Sequence, residues 1–202
     1  MKLLLTSDGL TSKKIQKEFL KLLDKPTSEN KVLIMHTANI PRRWRTVRKI
    51  MKGLIRLGIQ KKNISLINIR HKVSKIPEFD VLYSLGGNTF YILDRVRKTG
   101  FDKVIKKAVK RGKLYIGLSA GSMITHRTIE SADWGERRKD RNKIRLKNLK
   151  GLNFTNIAIF PHYKKRLDGE VKELKSKANY PILALKDKQA LLINGKTKRI
   201  IK

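Results

Sequence analysis

The sequence predicts an α/β fold: a three-layer sandwich with a mostly parallel central sheet, helices on both faces and a C-terminal β-hairpin. Three observations carry this expectation. Short apolar runs alternate with amphipathic stretches, the order that builds parallel sheets with crossover helices. Most of the runs are continuously apolar rather than alternating, as expected of strands covered on both sides. A chain of 202 residues with 40% hydrophobic content suits one sizeable core, so one domain over residues 1–202 is expected.

The elements follow in chain order. KLLLTS (2–7) is the first strand, and Ile15, Phe19, Leu20, Leu22 and Leu23 line one face of the first helix. KVLIMHT (31–37) is the second strand, and Val47, Ile50, Met51, Leu54 and Ile55 line the second helix. ISLINI (64–69) and DVLYSL (80–85) are the next strands. Phe90, Leu93 and Val96, then Val104, Ile105, Ala108 and Val109, mark two more helices before the strand KLYIGL (113–118). NIAIF (156–160), a helix over about 167–178 and PILAL (181–185) come after residue 150. ALLING (190–195) and residues 197–201 form a terminal hairpin. Parallel crossovers are right-handed, and binding and catalysis then belong at the carboxyl ends of the strands.

The charge is extreme: 49 Lys and Arg against 16 Asp and Glu, a net +33 at pH 7. Two segments are notably basic, the amphipathic PRRWRTVRKIMKGLIR (41–56) and ERRKDRNKIRLKNLK (136–150). Elsewhere the lysines are spread over every predicted helix, the pattern of a solvated surface. The chain carries no zinc-finger, RRM or basic-zipper signature, so no specific nucleic acid is expected. It has no cysteine, which excludes a disulfide scaffold, a thiolate metal site and a cysteine nucleophile. The apolar run in MKLLLTSDG is too short for a signal peptide, and nothing nears the roughly 18 apolar residues of a membrane span. A cytoplasmic protein without a membrane partner is expected, and homodimerisation stays open.

The chemistry gathers around LYIGLSAGSMI (114–124), in which residues 117–121 fit G-x-S-x-G. A strand precedes this pentapeptide and a helix follows, the context of a nucleophile elbow. Ser119 is therefore either a nucleophile on a strained corner or a small residue filling a turn. A serine nucleophile needs a base, and there are four histidines. His162, in FPHY, sits at the carboxyl end of a predicted strand, where the elbow also points. His36 ends a strand too and is a competing base or a wall residue, His71 sits in a polar loop, and His126 ends the elbow helix. Asp187, just past PILAL, is an orienting acid or an ordinary turn aspartate. The order Ser119, His162, Asp187 differs from the Ser-acid-His order of α/β-hydrolases. LGGNTF (85–90) follows a strand and opens a helix. It does not fit a phosphate loop, but Gly87 N–H is placed to share an oxyanion with Ala120 N–H. Asn88 or Thr89 is a helix cap, and Gly86 and Asn88 are expected to border the substrate.

LGGNTF, YIGLSAGSM, IFPHY and ALKDKQALLI, in this order, resemble the peptidase E family (peptidase family S51, dipeptidase E type), whose fold is related to class I glutamine amidotransferases. The likeness runs from KLLLTS to ALLING. It implies Ser119 as nucleophile, His162 as base and Asp187 as acid, a position that holds glutamate in some members. It implies Gly87 and Ala120 as oxyanion donors, a short peptide as substrate, and no metal or organic cofactor. The best-known activity of the family removes an N-terminal aspartate, and Arg127, Arg137, Arg138 and Arg166 are candidates to pair with a carboxylate. The amidotransferases carry cysteine at the elbow, so glutamine hydrolysis by that route is not expected here. Two alternatives remain. A non-catalytic binding or regulatory protein of this fold would hold Ser119 and His162 beyond hydrogen-bond reach. A nucleic-acid-binding protein on this fold would show salt-dependent affinity.

Overall fold

Neighbouring strand residues point to opposite faces, so a run apolar at every position feeds two cores at once. The computed structural model describes residues 1–37, 44–134 and 140–202. In it, β1 (Lys2–Thr6), β2 (Val32–His36), β3 (Ile64–Asn68), β4 (Val81–Ser84) and β5 (Leu114–Leu118) all run parallel. The hairpin of β8 (Ala190–Asn194) and β9 (Thr197–Ile201) adds to β1 antiparallel, with Leu4 opposite Leu192. The seven-stranded sheet has the order β3-β2-β4-β5-β1-β8-β9.

On one face Leu3, Leu5, Leu33, Leu82 and Tyr115 pack on α3 (Thr89–Lys98) and α4 (Phe101–Lys110) through Phe90, Leu93, Val96, Phe101 and Ile105. On the other, Leu4, Ile34, Tyr83 and Ile116 pack on α1 (Lys13–Lys21) and α2 (Trp44–Arg56) through Ile15, Phe19, Val47 and Leu54. These are the three expected layers. The start of the basic segment 41–56 and residues 136–139 of the second basic segment lie outside the described residues.

Two expectations are corrected. NIAIF and PILAL read as strands whose carboxyl ends share the sheet with the elbow. Instead β6 (Ala158–Phe160) and β7 (Ile182–Ala184) pair with each other as a separate two-stranded parallel sheet. The β1 edge they would need is occupied by β8. They bury a cluster of their own with Val171 and Leu174 of α6 (Asp168–Lys177) and Tyr180. The elbow helix α5 spans Ala120–Met123, so His126 lies beyond it rather than ending it. Thr125 Oγ1 donates to Ser122 O at 2.6 Å, closing the turn, and His126 then bridges to Thr155. Among the described residues no helix is long and apolar enough to cross a membrane.

Asn88 caps α3: its side-chain oxygen accepts from Tyr91 N at 3.0 Å, and its Nδ2 donates to Arg141 O at 2.9 Å. Losing an N-cap of this kind costs about 1 kcal/mol. Asn88→Ala is expected to lower the unfolding free energy by that amount, seen as a lower urea midpoint with an unchanged m value, and an unchanged midpoint would remove the cap from the stability of α3.

Candidate active site

The carboxyl ends of β1, β2, β4 and β5 converge, and the elbow after β5 stands among them. Ser119 has φ 51° and ψ −112°, a backbone that a non-glycine residue keeps only when its surroundings impose it. Those surroundings are specific. Ser119 N donates to Thr6 O at 3.0 Å, while Ser119 O accepts from Ser122 N at 2.8 Å and Met123 N at 3.1 Å. Ser122 Oγ also donates to Thr6 O, at 2.8 Å. Glycine at 117 lets α5 lie on its own strand, for a Cβ there would sit 2.7 Å from Ser122 Cα. Glycine at 121 does the same toward β4, where a Cβ would meet Ser84 O and lie 2.8 Å from Ser84 Oγ.

His162 follows β6 and Pro161, with φ 58°. Its backbone N donates to Ser7 Oγ at 2.7 Å. Its Nε2 is 3.0 Å from Ser119 Oγ, and its Nδ1 is 2.7 Å from Asp187 Oδ1. Ser7 Oγ donates to the same Asp187 oxygen at 3.3 Å, and Thr11 Oγ1 donates to Asp187 O at 3.0 Å. The side chains of His162 and Asp187 are 49% and 48% exposed, so this pair is half in water and open to a ligand. The structure therefore brings Ser119, His162 and Asp187 into one hydrogen-bonded chain.

Gly86 lies directly against the elbow, since a Cβ there would be 3.2 Å from Ser119 Cβ. Gly87 comes next, and Ala120 opens α5, where first-turn amides have no intrahelical acceptor. Among the described residues neither the Gly87 nor the Ala120 N–H finds a hydrogen-bond acceptor. Asn88, expected to border the substrate, lines neither of the two cavities beside Ser119, and both ends of its side chain are engaged within the protein.

Two cavities share Ser119 and His162. The smaller, of about 280 Å³, is walled by Asp8, His36, Thr37, Gly86 and Gly87. The larger, of about 420 Å³, is walled by Met123, Asp140, Phe160, Lys164, Arg166, Leu167 and Glu170. His36 is thus a wall residue, and its burial pushes its ring below the usual histidine range. His71 is exposed in its loop. His126 is buried, with Nδ1 2.9 Å from Thr128 O and its ring 4.4 Å from that of Tyr180. Of the four arginine candidates, Arg166 lines the larger cavity. Arg127 lines a different one and donates to Asn179 Oδ1 at 2.8 Å. Arg137 and Arg138 lie outside the described residues.

Ser7 and Asp8 went unnoticed in the sequence. Both directly follow β1, and position at a strand's carboxyl end was the signal available. Burial raises the Asp8 carboxyl above its usual range; the Lys49 cation opposes that and the Asp187 charge adds to it. Among the described residues no cluster of three or more metal-binding side chains occurs.

The chain as a whole is similar to known proteins. The sequence profile of peptidase family S51 matches residues 3–201. An uncharacterised peptidase of Listeria monocytogenes is 33% identical over 160 residues, 74% of this chain and 76% of its own length. Peptidase E of Escherichia coli is 32% identical over 105 residues, 50% of this chain and 43% of its own. The crystal structure of a candidate peptidase E protein from Listeria monocytogenes matches with a TM-score of 0.78 at 26% identity, covering 98% of this chain and 96% of that one. A peptidase from an acI-B1 actinobacterium matches with a TM-score of 0.73 at 15% identity, covering 99% and 86%. At that identity the likeness speaks for the fold.

Proposed function

The chain belongs to peptidase family S51, and from that premise we propose that it hydrolyses short peptides through a serine nucleophile, Ser119. The observation that carries the reading is the continuous chain Asp187–His162–Ser119, with spacings of 2.7 and 3.0 Å, hung on the strained backbone corner at Ser119.

The steps follow from the geometry. Ser119 Oγ attacks the substrate carbonyl carbon as its proton passes to His162 Nε2. Nδ1–H of the imidazolium donates to Asp187 Oδ1, which holds the tautomer and stabilises the positive charge. The carbonyl oxygen becomes an oxyanion that accepts from Gly87 N–H and Ala120 N–H, each such donor being worth about 10²–10³ in rate. His162 Nε2–H then protonates the leaving amine, and the C–N bond breaks. Water, deprotonated by Nε2, attacks the acyl-enzyme and releases the acid and free Ser119. Ser7 is a positioning residue: its hydroxyl accepts from His162 N and donates to Asp187, tying base and acid together. Asp187→Asn removes the acceptor that selects the tautomer and is expected to lower kcat by about 10⁴.

The test has two parts. Wild-type protein is assayed on a panel of X-Y dipeptide p-nitroanilides, Asp-X members included because Lys164 and Arg166 line the larger cavity. A fluorophosphonate is added separately, and the adduct is located by mass spectrometry. Hydrolysis together with an adduct on Ser119 supports the reading. Inertness across the panel with no adduct rejects it.

A further inference from the structure

We propose that Glu170 is a specificity residue that receives a cationic nitrogen of the peptide, an ammonium or guanidinium group, in the larger cavity beside Ser119. The proposal rests on the reading of Ser119 as nucleophile solely for which bond is then cut.

Acidic side chains are a minority in this chain, 16 against 49 basic ones, and several of the shielded ones have cationic partners. Glu18 pairs with Lys21 and Arg199, Asp94 with Arg95 and Lys98, and Asp80 with Lys25. Asp140, on the same cavity as Glu170, accepts from Thr89 N at 3.0 Å. Glu170 departs from this pattern. Its Oε1 is closed off from solvent and, among the described residues, has no hydrogen-bond partner. Among the described residues it forms no ion pair, although Lys164 and Arg166 line the same cavity. Those two cations are exposed, while Glu170 is partly buried.

A carboxylate oxygen removed from water without a replacement donor is costly. Glu170 lines the cavity adjoining the nucleophile, and turning its carboxylate into that cavity to meet a ligand's donor offsets the cost. Phe160, Leu167 and Met123 supply apolar walls around it, which lower the local dielectric and strengthen a charged contact. The complement of an anionic acceptor in such a place is a charged donor. On a peptide that donor comes from two sources, the free α-ammonium of the N-terminus or a basic side chain.

Calorimetric titration of Ser119→Ala, which binds without turnover, separates them. The probes are Ala-Leu against N-acetyl-Ala-Leu, and N-acetyl-Lys-Leu against N-acetyl-norleucyl-Leu. The cationic member of at least one pair is expected to bind about tenfold tighter or more. The first pair responding assigns the α-ammonium, the second a basic side chain. Adding Glu170→Gln is expected to erase the difference without lowering the thermal midpoint, and Glu170→Asp, which keeps the charge, to restore part of it. Equal affinities within both pairs, absence of binding included, overturn the proposal, as does a cation preference that survives Glu170→Gln. Failure of the hydrolytic reading shows elsewhere, as wild-type inertness on the p-nitroanilide panel, and leaves these binding comparisons standing.

Discussion

Ser119→Ala is expected to lower kcat on a peptide substrate by about 10⁶, and His162→Ala by about as much. The double variant should then be no worse than either single one, because nucleophile and base act as a unit. Each variant removes one end of a single 3.0 Å contact, and the other end alone moves no proton. The fold should survive. The hydrogen bonds that hold the elbow run through Ser119 N and O and not through its hydroxyl, and alanine carries the same Cβ into the left-handed region that serine occupies. Steady-state kinetics with a thermal-unfolding control decide the matter. Multiplying losses in the double variant would show two independent contributions and dissolve the proposed triad, while full activity of Ser119→Ala would remove Ser119 from the chemistry altogether. Residual catalysis of about 10³–10⁴ over water is still expected in all three, from binding and the two amides.

Much of this site was legible in the sequence, for a physical reason. An elbow needs glycines where strand and helix touch, and Gly117 and Gly121 flank Ser119 in a pattern that few other demands produce. The strand runs were legible because both faces of the sheet are covered, as Leu3 and Leu4 show by packing on opposite cores. What stayed hidden is non-local. Nothing near Ala190–Asn194 announces that β8 pairs with β1 almost the whole chain away, and that pairing turns β6 and β7 into a sheet of their own. His162 reaches Ser119 from outside the main sheet, so its approach depends on Ser7 accepting its backbone N–H. A serine after a strand carries no local mark of that duty. Glu170 was equally silent: as a first-turn glutamate of α6 it matches the ordinary preference for acids at helix N-termini. The cavity wall behind it exists only after the chain has folded.

Gly121→Ala is the second large effect and separates geometry from chemistry. The added methyl group would collide with Ser84 O, and it would lie 2.8 Å from Ser84 Oγ and 3.0 Å from the Ser84 carbonyl carbon. All three atoms belong to β4, a central strand with β2 on one side and β5 on the other. Neither neighbour has freedom to yield, so α5 must move instead, and Ser119 moves with it. Overpacking of this kind costs about 1–3 kcal/mol, and in a chain of this size each kcal/mol lowers Tm by about 2–4 °C. The kinetic penalty is expected to be larger than that stability loss explains, because a displacement of about 1 Å at a reacting atom costs about 10² in rate. Gly53→Ala is the matched control. Gly53 lies inside α2, and a Cβ there meets nothing within 4 Å, so this change should stabilise by about 0.5–1 kcal/mol and leave kcat/KM unchanged. Thermal unfolding and kinetics on the two variants give the comparison. Wild-type Tm and activity in Gly121→Ala would mean that the β4–α5 contact relaxes freely, and the strained corner would then be no requirement for holding Ser119 at His162. A fall in activity far beyond the fall in stability, absent from Gly53→Ala, would tie the placement of the nucleophile to the missing side chain at position 121.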